Sequence, residues 1–174
     1  MSKENIEKDY AIEQVRTASR HFADLYFYFS KVLIDELGKD KTEEILEKVL
    51  FERSIERAER MRVKAKSNNL ELVPDNIVKL TDVPFLGWVP ELKELHCPYG
   101  EAWLSRLDKN PWFKEFASLY CDVTDTTVAE EFTGNTSHKI TQNVLWGDKS
   151  CERIYFPKEE LLKGEYTYGK KEDK

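Results

Sequence analysis

Two long stretches of helical periodicity meet at a single glycine, and that junction constrains the fold of this chain more than any other feature. From Asp9 to Leu37 the apolar residues Val15, Phe22, Leu25, Tyr26, Phe29, Val32 and Leu33 recur at the spacing of one helix face. Gly38 follows as a C-terminal stop. Asp40-Lys41-Thr42-Glu43 then has the form of a capping box, with Asp40 as N-cap and Glu43 reaching back. Ile45, Leu46, Val49, Leu50 and Met61 carry a second helix towards Lys66, and Ser67-Asn68-Asn69 closes it. Two such helices on so short a connection must run antiparallel, and their apolar faces need cover from the rest of the chain. The aromatic cluster Phe22, Tyr26, Phe27, Tyr28 and Phe29 is expected in that covered core.

Pro74, Pro84 and Pro90 break the pattern that follows. A short helix is expected near Asp75 to Leu80, then a connection punctuated by proline and glycine, then a strand from Leu92 to His96. Pro98 directly after Cys97 favours a helix with Cys97 as N-cap and proline at N1. Asn110-Pro111 repeats the signal and opens a helix carrying Trp112, Phe113, Phe116 and Leu119 to Tyr120-Cys121. From Ile140 to Trp146 the pattern alternates, which suits a strand. Gly147-Asp148 turns the chain. Cys151 to Phe156 runs back, with Ile154 and Phe156 on one face and Cys151, Arg153 and Tyr155 on the other. Pro157 ends the strand, and 158–174 reads as a charged tail. The expected fold is one α+β domain spanning 1–174. In it an N-terminal antiparallel helical pair (1–70, the scaffold) packs on a small antiparallel sheet with short helices, and 92–156 bears the cysteines.

Composition excludes several functions. With 40% hydrophobic and 34% charged residues in 174, the chain is long and apolar enough to bury a core. A net charge of −6 argues against a nucleic-acid partner, because neutralising phosphates needs a basic surface. The cluster Arg53, Arg57, Arg60, Arg62, Lys64 and Lys66 is interleaved with Glu52, Glu56 and Glu59, as on a solvated helix face with i,i+4 pairs. The longest apolar run, Phe22 to Phe29, is short and holds Asp24, so a membrane span is not expected. Met-Ser-Lys-Glu-Asn lacks a secretory apolar region, which points to a cytoplasmic protein. Oligomerisation is left open.

Three cysteines carry the candidate chemistry. Cys97 at a helix N-terminus faces the positive end of the dipole, a setting that lowers a thiol pKa and favours a thiolate nucleophile or ligand. His138 is placed to pair with such a thiolate, whereas His96 points away from its neighbour Cys97 on an extended segment. Cys97, Cys121 and Cys151, on three separate elements, are candidate ligands for a zinc or iron ion, although no C-x-x-C knuckle is present. Asp122, Asp125, Glu130 and Glu131 offer carboxylates near Cys121, with Asp122 the candidate general base. Asp125, Asp148, Cys121 and Cys151 are the candidate ligand-binding groups, although Gly147-Asp148 is also good turn chemistry. The P-loop, G-x-G-x-x-G, H-E-x-x-H and G-x-S-x-G signatures are absent.

In their order, C-P followed by E-A at Cys97–Ala102, C-D with a nearby aspartate at Cys121–Asp125, and G-D-x-x-C with an aromatic-ended strand at Gly147–Phe156 resemble the L-2-amino-thiazoline-4-carboxylic acid hydrolase family. The last motif is also similar to the vinyl-reductase-type small-ligand domain. The chain departs from the family ending in placing Glu152 and Arg153 before the aromatic residues. The resemblance covers about 92–156 and implies an α+β fold around a small-molecule pocket. It also implies hydrolysis of a cyclic amidine, with Cys97, Cys121, Asp122, Gly147, Asp148 and Cys151 at the site. Ring opening needs water at the amidine carbon, activated by a metal or by a carboxylate, or direct attack by a cysteine. A non-enzymatic ligand- or metal-binding sensor module is the alternative expectation.

Overall fold

The computed structural model describes residues 5–80, 85–88 and 97–163. The first two helices, α1 (Lys8–Leu37) and α2 (Lys39–Ser67), share Gly38 as their boundary. Its φ of 81° lies in the left-handed region, which glycine adopts without a Cβ penalty, and its N–H bonds the Ile34 carbonyl. One residue therefore ends α1 and starts α2. The Arg53 guanidinium lies 5.8 Å from the centre of the Phe22 ring, and these residues are about equally far from Gly38, so the pair runs antiparallel. Asp40 is not the expected cap: Gly38 occupies the N-cap, no side chain caps the helix, and Asp40 is already in its first turn. Among the basic residues of α2, Arg60 pairs with Glu56 at i,i+4.

Next comes a short helix α3 (Pro74–Ile77), continued as a 3₁₀ turn over Val78–Leu80. A second 3₁₀ turn, Phe85–Trp88, docks on α1: the Arg16 guanidinium donates to the Gly87 carbonyl at 3.0 Å. Any Cβ at Gly87 would sit 2.7 Å from the Val15 side chain, so the close approach needs glycine. The expected strand from Leu92 to His96 lies outside the described residues.

Helices α4 (Pro98–Leu107) and α5 (Phe113–Thr133) supply the cover for the N-terminal pair. Trp103 is 1% exposed, and its indole N–H donates to the Ala23 carbonyl at 3.0 Å. Tyr26, Phe27, Trp103, Phe113, Phe116 and Tyr120 form an aromatic core with Leu46 and Leu50 of α2. Further along the same helices, Ala58, Met61 and Ala65 of α2 meet Val128 and Phe132 of α5. Low-numbered residues of α2 thus pack on low-numbered residues of α5, and high on high, so the two helices run parallel. Fully buried Ser54 and Thr124 lie between the two clusters, and their hydroxyls find no partner among the described residues.

Helix α5 is longer than expected. It runs without a break past Cys121 to a left-handed Gly134, so Cys121 and Asp122 sit mid-helix rather than near a helix end. Strand β1 (Thr136–Gln142) pairs antiparallel with β2 (Glu152–Pro157), with Ser137 opposite Phe156 and His138 opposite Tyr155. The expected strand through Trp146 stops at Gln142. Val144–Trp146 instead winds into a 3₁₀ turn, because the Asn143 side chain accepts from the Leu145 N–H at 3.0 Å and caps it. On β2 only Phe156 is buried. Ile154, expected beside it in the core, is 42% exposed.

One further expectation fails on α1. Tyr26 and Phe27 are buried, but Leu25, Tyr28, Phe29 and Val32 are 56%, 54%, 58% and 56% exposed. A single helix can turn only one arc into the core, and the aromatic run is wider than that arc.

Candidate functional site

Asp122 and Asp125 stand one turn apart on α5, and the β hairpin reaches across to them. Arg153 of β2 binds Asp125 through Nη2 at 2.6 Å and Nε at 2.7 Å, both to Oδ2. Burial would lower the Arg153 pKa, but the Asp125 charge beside it carries it above its usual value. Among the described residues Asp122 has no such partner. Burial, with the neighbouring Asp125 charge, pushes its carboxyl up from 3.8 to about 6, against the pull of Arg153. This is a carboxyl that exchanges protons near neutral pH.

Asp122 opens onto a groove of about 890 Å³ along the seam of α2 and α5. Glu43, Glu47, Lys48 and Phe51 come from α2, and Lys114, Ser118 and Asp122 from α5. Trp146 closes one side, its indole N–H donating to Ser118 Oγ at 3.0 Å. Glu44, Glu115 and Glu130 also line the groove, and lysines outside it pair with them: Lys41, Lys39 and Lys158 respectively. The size suits a small molecule, and the mixture of an aromatic wall with a few charged groups is that of a ligand site.

The three cysteines gather near Arg153. Cys121 and Cys151 pack against the aromatic core, and both Cys97 and Cys121 feel the Arg153 charge. Cys97 caps α4 as expected: its Sγ accepts from the Gly100 N–H at 3.4 Å. The expected thiolate does not follow. Burial raises the Cys97 pKa and outweighs the lowering by the backbone N–H groups of Gly100 and Tyr99. Burial also raises the Cys121 pKa well above the ordinary thiol value, and the Asp125 charge adds to it. Cys151 accepts from the Val144 N–H at 3.5 Å and donates to Asn143 Oδ1 at 3.7 Å.

Nor do the cysteines make the expected zinc or iron site. Among the described residues no three His, Cys, Asp or Glu side chains converge where they could hold a metal. The sulfurs of Cys97 and Cys151 are instead committed to backbone N–H groups of the turns beside them.

His138 is 3% exposed, and its Nδ1 is 3.0 Å from Thr126 Oγ1. Its Nε2 finds no partner among the described residues, and burial lowers its pKa so that the ring is neutral. His138 does not line the groove; Thr126, which does, stands between them. His96 lies outside the described residues. Asp148 sits in the turn and accepts from the Asn143 N–H at 2.8 Å, which is structural work. Asn143 itself organises this corner, since Leu145, Cys151 and Asp148 all bond to it. Sequence reasoning missed it by reading 140–146 as a plain strand, although an asparagine just ahead of Gly147-Asp148 is a turn signal. It also missed the groove residues of α2, because nothing in a run of glutamates and lysines tells which of them face another helix.

Among the described residues no helix is long and apolar enough to cross a membrane. Comparison with protein-family models, with curated proteins and with solved structures finds no match to this chain.

Proposed function

We propose that the chain is a hydrolase acting on a small cyclic C–N compound of the amidine or thiazoline type, bound in the groove between α2 and α5. The observation that carries this reading is the Asp122 carboxyl, held to about 6 at the wall of that groove. A pKa near the working pH is what a group needs to both take and return a proton. A cyclic amidine is cationic when protonated, and Glu43, Glu47 and Asp122 offer it opposite charge. Lys48 and Lys114 suit an acid group on the same substrate, and Trp146 offers a face for the ring.

The chemistry then needs only side chains of this protein. Asp122 takes a proton from water as the water oxygen bonds to the amidine carbon. When the bond from that carbon to the ring sulfur breaks, the sulfur keeps the bonding pair and takes the proton from Asp122, while the added hydroxyl becomes the urea carbonyl and releases its proton to solvent. Half-buried Cys97 and Cys121, with thiol pKa values raised, speak for carboxylate chemistry over thiolate attack. The same burial favours the second reading, a small-ligand sensor that binds in the groove without turning its ligand over.

The test is incubation with 2-aminothiazoline-4-carboxylate, following release of a free thiol. Wild-type turnover that falls at least ~100-fold in Asp122→Asn, with ligand affinity kept within a few-fold, supports the hydrolase. Turnover unchanged in that variant overturns the role of Asp122. Binding of the compound without turnover supports the sensor.

A further inference from the structure

The outer face of α1 is apolar, exposed and symmetrical in pattern. Leu25, Tyr28, Phe29 and Val32 are each more than half exposed. With His21 and Glu36, both also exposed, they fall within an arc of about 100° on a helix of 3.6 residues per turn. The spacing of the four apolar residues reads the same in either direction. When the helix is reversed about the point midway between Tyr28 and Phe29, Leu25 takes the place of Val32 and Tyr28 that of Phe29. The same reversal exchanges His21 with Glu36.

We propose that this face binds a second copy of the chain, α1 against α1, antiparallel about a two-fold axis between Tyr28 and Phe29. An isologous contact requires a surface complementary to itself, and this one is. Leu25 of each copy meets Val32 of the other, and the aromatic rings meet at the axis. At each end of the seam His21 faces Glu36, so hydrogen-bonding capacity is matched as well as apolar surface. Arg106 reinforces the choice from the flank. Its guanidinium pairs with Asp24 and lies 5.3 Å from the centre of the Tyr28 ring, which holds that ring in place beside the axis.

The area is consistent with a reversible dimer. Two half-exposed aromatic and two half-exposed aliphatic side chains offer on the order of 400 Å² per copy, or about 800 Å² in the pair. Flanking residues of a helix 30 residues long bring the total towards the ~1,200 Å² at which specific interfaces begin. The groove between α2 and α5 lies on other elements, so the proposal does not depend on the activity of the chain.

Sedimentation velocity across a concentration range from about 1 to about 200 µM, bracketing the micromolar affinity of a modest interface, tests it. The expected result is a shift from the 20.5 kDa chain to twice that mass as concentration rises. Phe29→Glu should weaken dimerisation at least tenfold with an unchanged circular dichroism spectrum. Glu36→Lys should weaken it several-fold, and His21→Glu added to Glu36→Lys should restore it, which only this pairing explains. A wild-type monomer throughout the range overturns the proposal. So does a dimer that Phe29→Glu leaves intact, or a charge exchange that restores nothing.

Discussion

Arg153 Nη2 lies 2.6 Å from Asp125 Oδ2, and this bond ties the hairpin to the middle of α5. It also decides which of two neighbouring carboxylates is salt-bridged. Asp125 takes the guanidinium, and Asp122, one turn away, is left with burial and a like charge.

Asp122 should therefore cost the fold stability at neutral pH. A carboxyl raised from 3.8 to about 6 contributes its stability in full below 3.8 and loses it as pH rises through about 6. Asp122→Asn is expected to be more stable than wild type at pH 7 by about 1–2 kcal/mol, with the gain shrinking towards pH 4. Urea unfolding at the two pH values measures this. A variant less stable at pH 7 would show that the carboxylate is well satisfied. If stability rises while turnover falls, the carboxylate is kept for function at the expense of the fold.

His138 acts in the opposite direction. Its pKa is lowered in the folded state, so the unfolded chain takes up the proton first as pH drops through about 6.5. Stability gained from the neutral ring is present above that value and falls away below it. The difference in unfolding free energy between wild type and His138→Leu should shrink or reverse between pH 7.5 and pH 5, a comparison of about 2.5 pH units around the His value. A constant difference across that range would mean that the ring titrates alike in both states.

Thr124→Val tests the seam of α2 and α5. The Thr124 hydroxyl is buried and finds no partner among the described residues, so replacing it with a methyl group removes a desolvated polar atom at constant shape. The expected gain is about 1 kcal/mol in thermal or denaturant unfolding. A loss of that size would reveal a hydrogen bond to this hydroxyl.

Trp103→Ala should be the most damaging single change in the aromatic core. It removes a side chain 1% exposed, opens a cavity among Tyr26, Phe113 and Tyr120, and takes away the indole bond to the Ala23 carbonyl. A loss of about 3–5 kcal/mol is expected by denaturant unfolding. Trp103→Phe should lose less, because it keeps most of the ring volume.

Native thiols should be slow. Cys97 and Cys121 are held protonated by burial, so a disulfide reagent at pH 7.5 should reach them at full rate only after unfolding. Rapid modification of Cys97 in the folded chain, assigned with Cys97→Ser, would restore it as a candidate nucleophile.

The sequence by itself determined the local events. Gly38 had to end one helix, Pro98 had to begin another with Cys97 as its cap, and the alternation after Phe132 had to become a hairpin. Each follows from backbone restriction within a few residues, so each can be read along the chain. The capping signal at Asp40 failed because Gly38 already opens α2 two residues earlier, and the strand drawn through Trp146 failed where the Asn143 side chain caps a turn. Cys97 shows the limit most clearly. Its place at a helix N-terminus was legible, but the helix field that favours a thiolate is a local effect, and the burial that outweighs it exists only in the folded chain. Only the tertiary structure made α5 run parallel to α2. That arrangement opens a groove between two stretches some seventy residues apart, gives Arg153 to Asp125, and leaves Asp122 to hold a proton near neutral pH. Desolvation and charge pairing depend on what packs across space, and no local pattern encodes them.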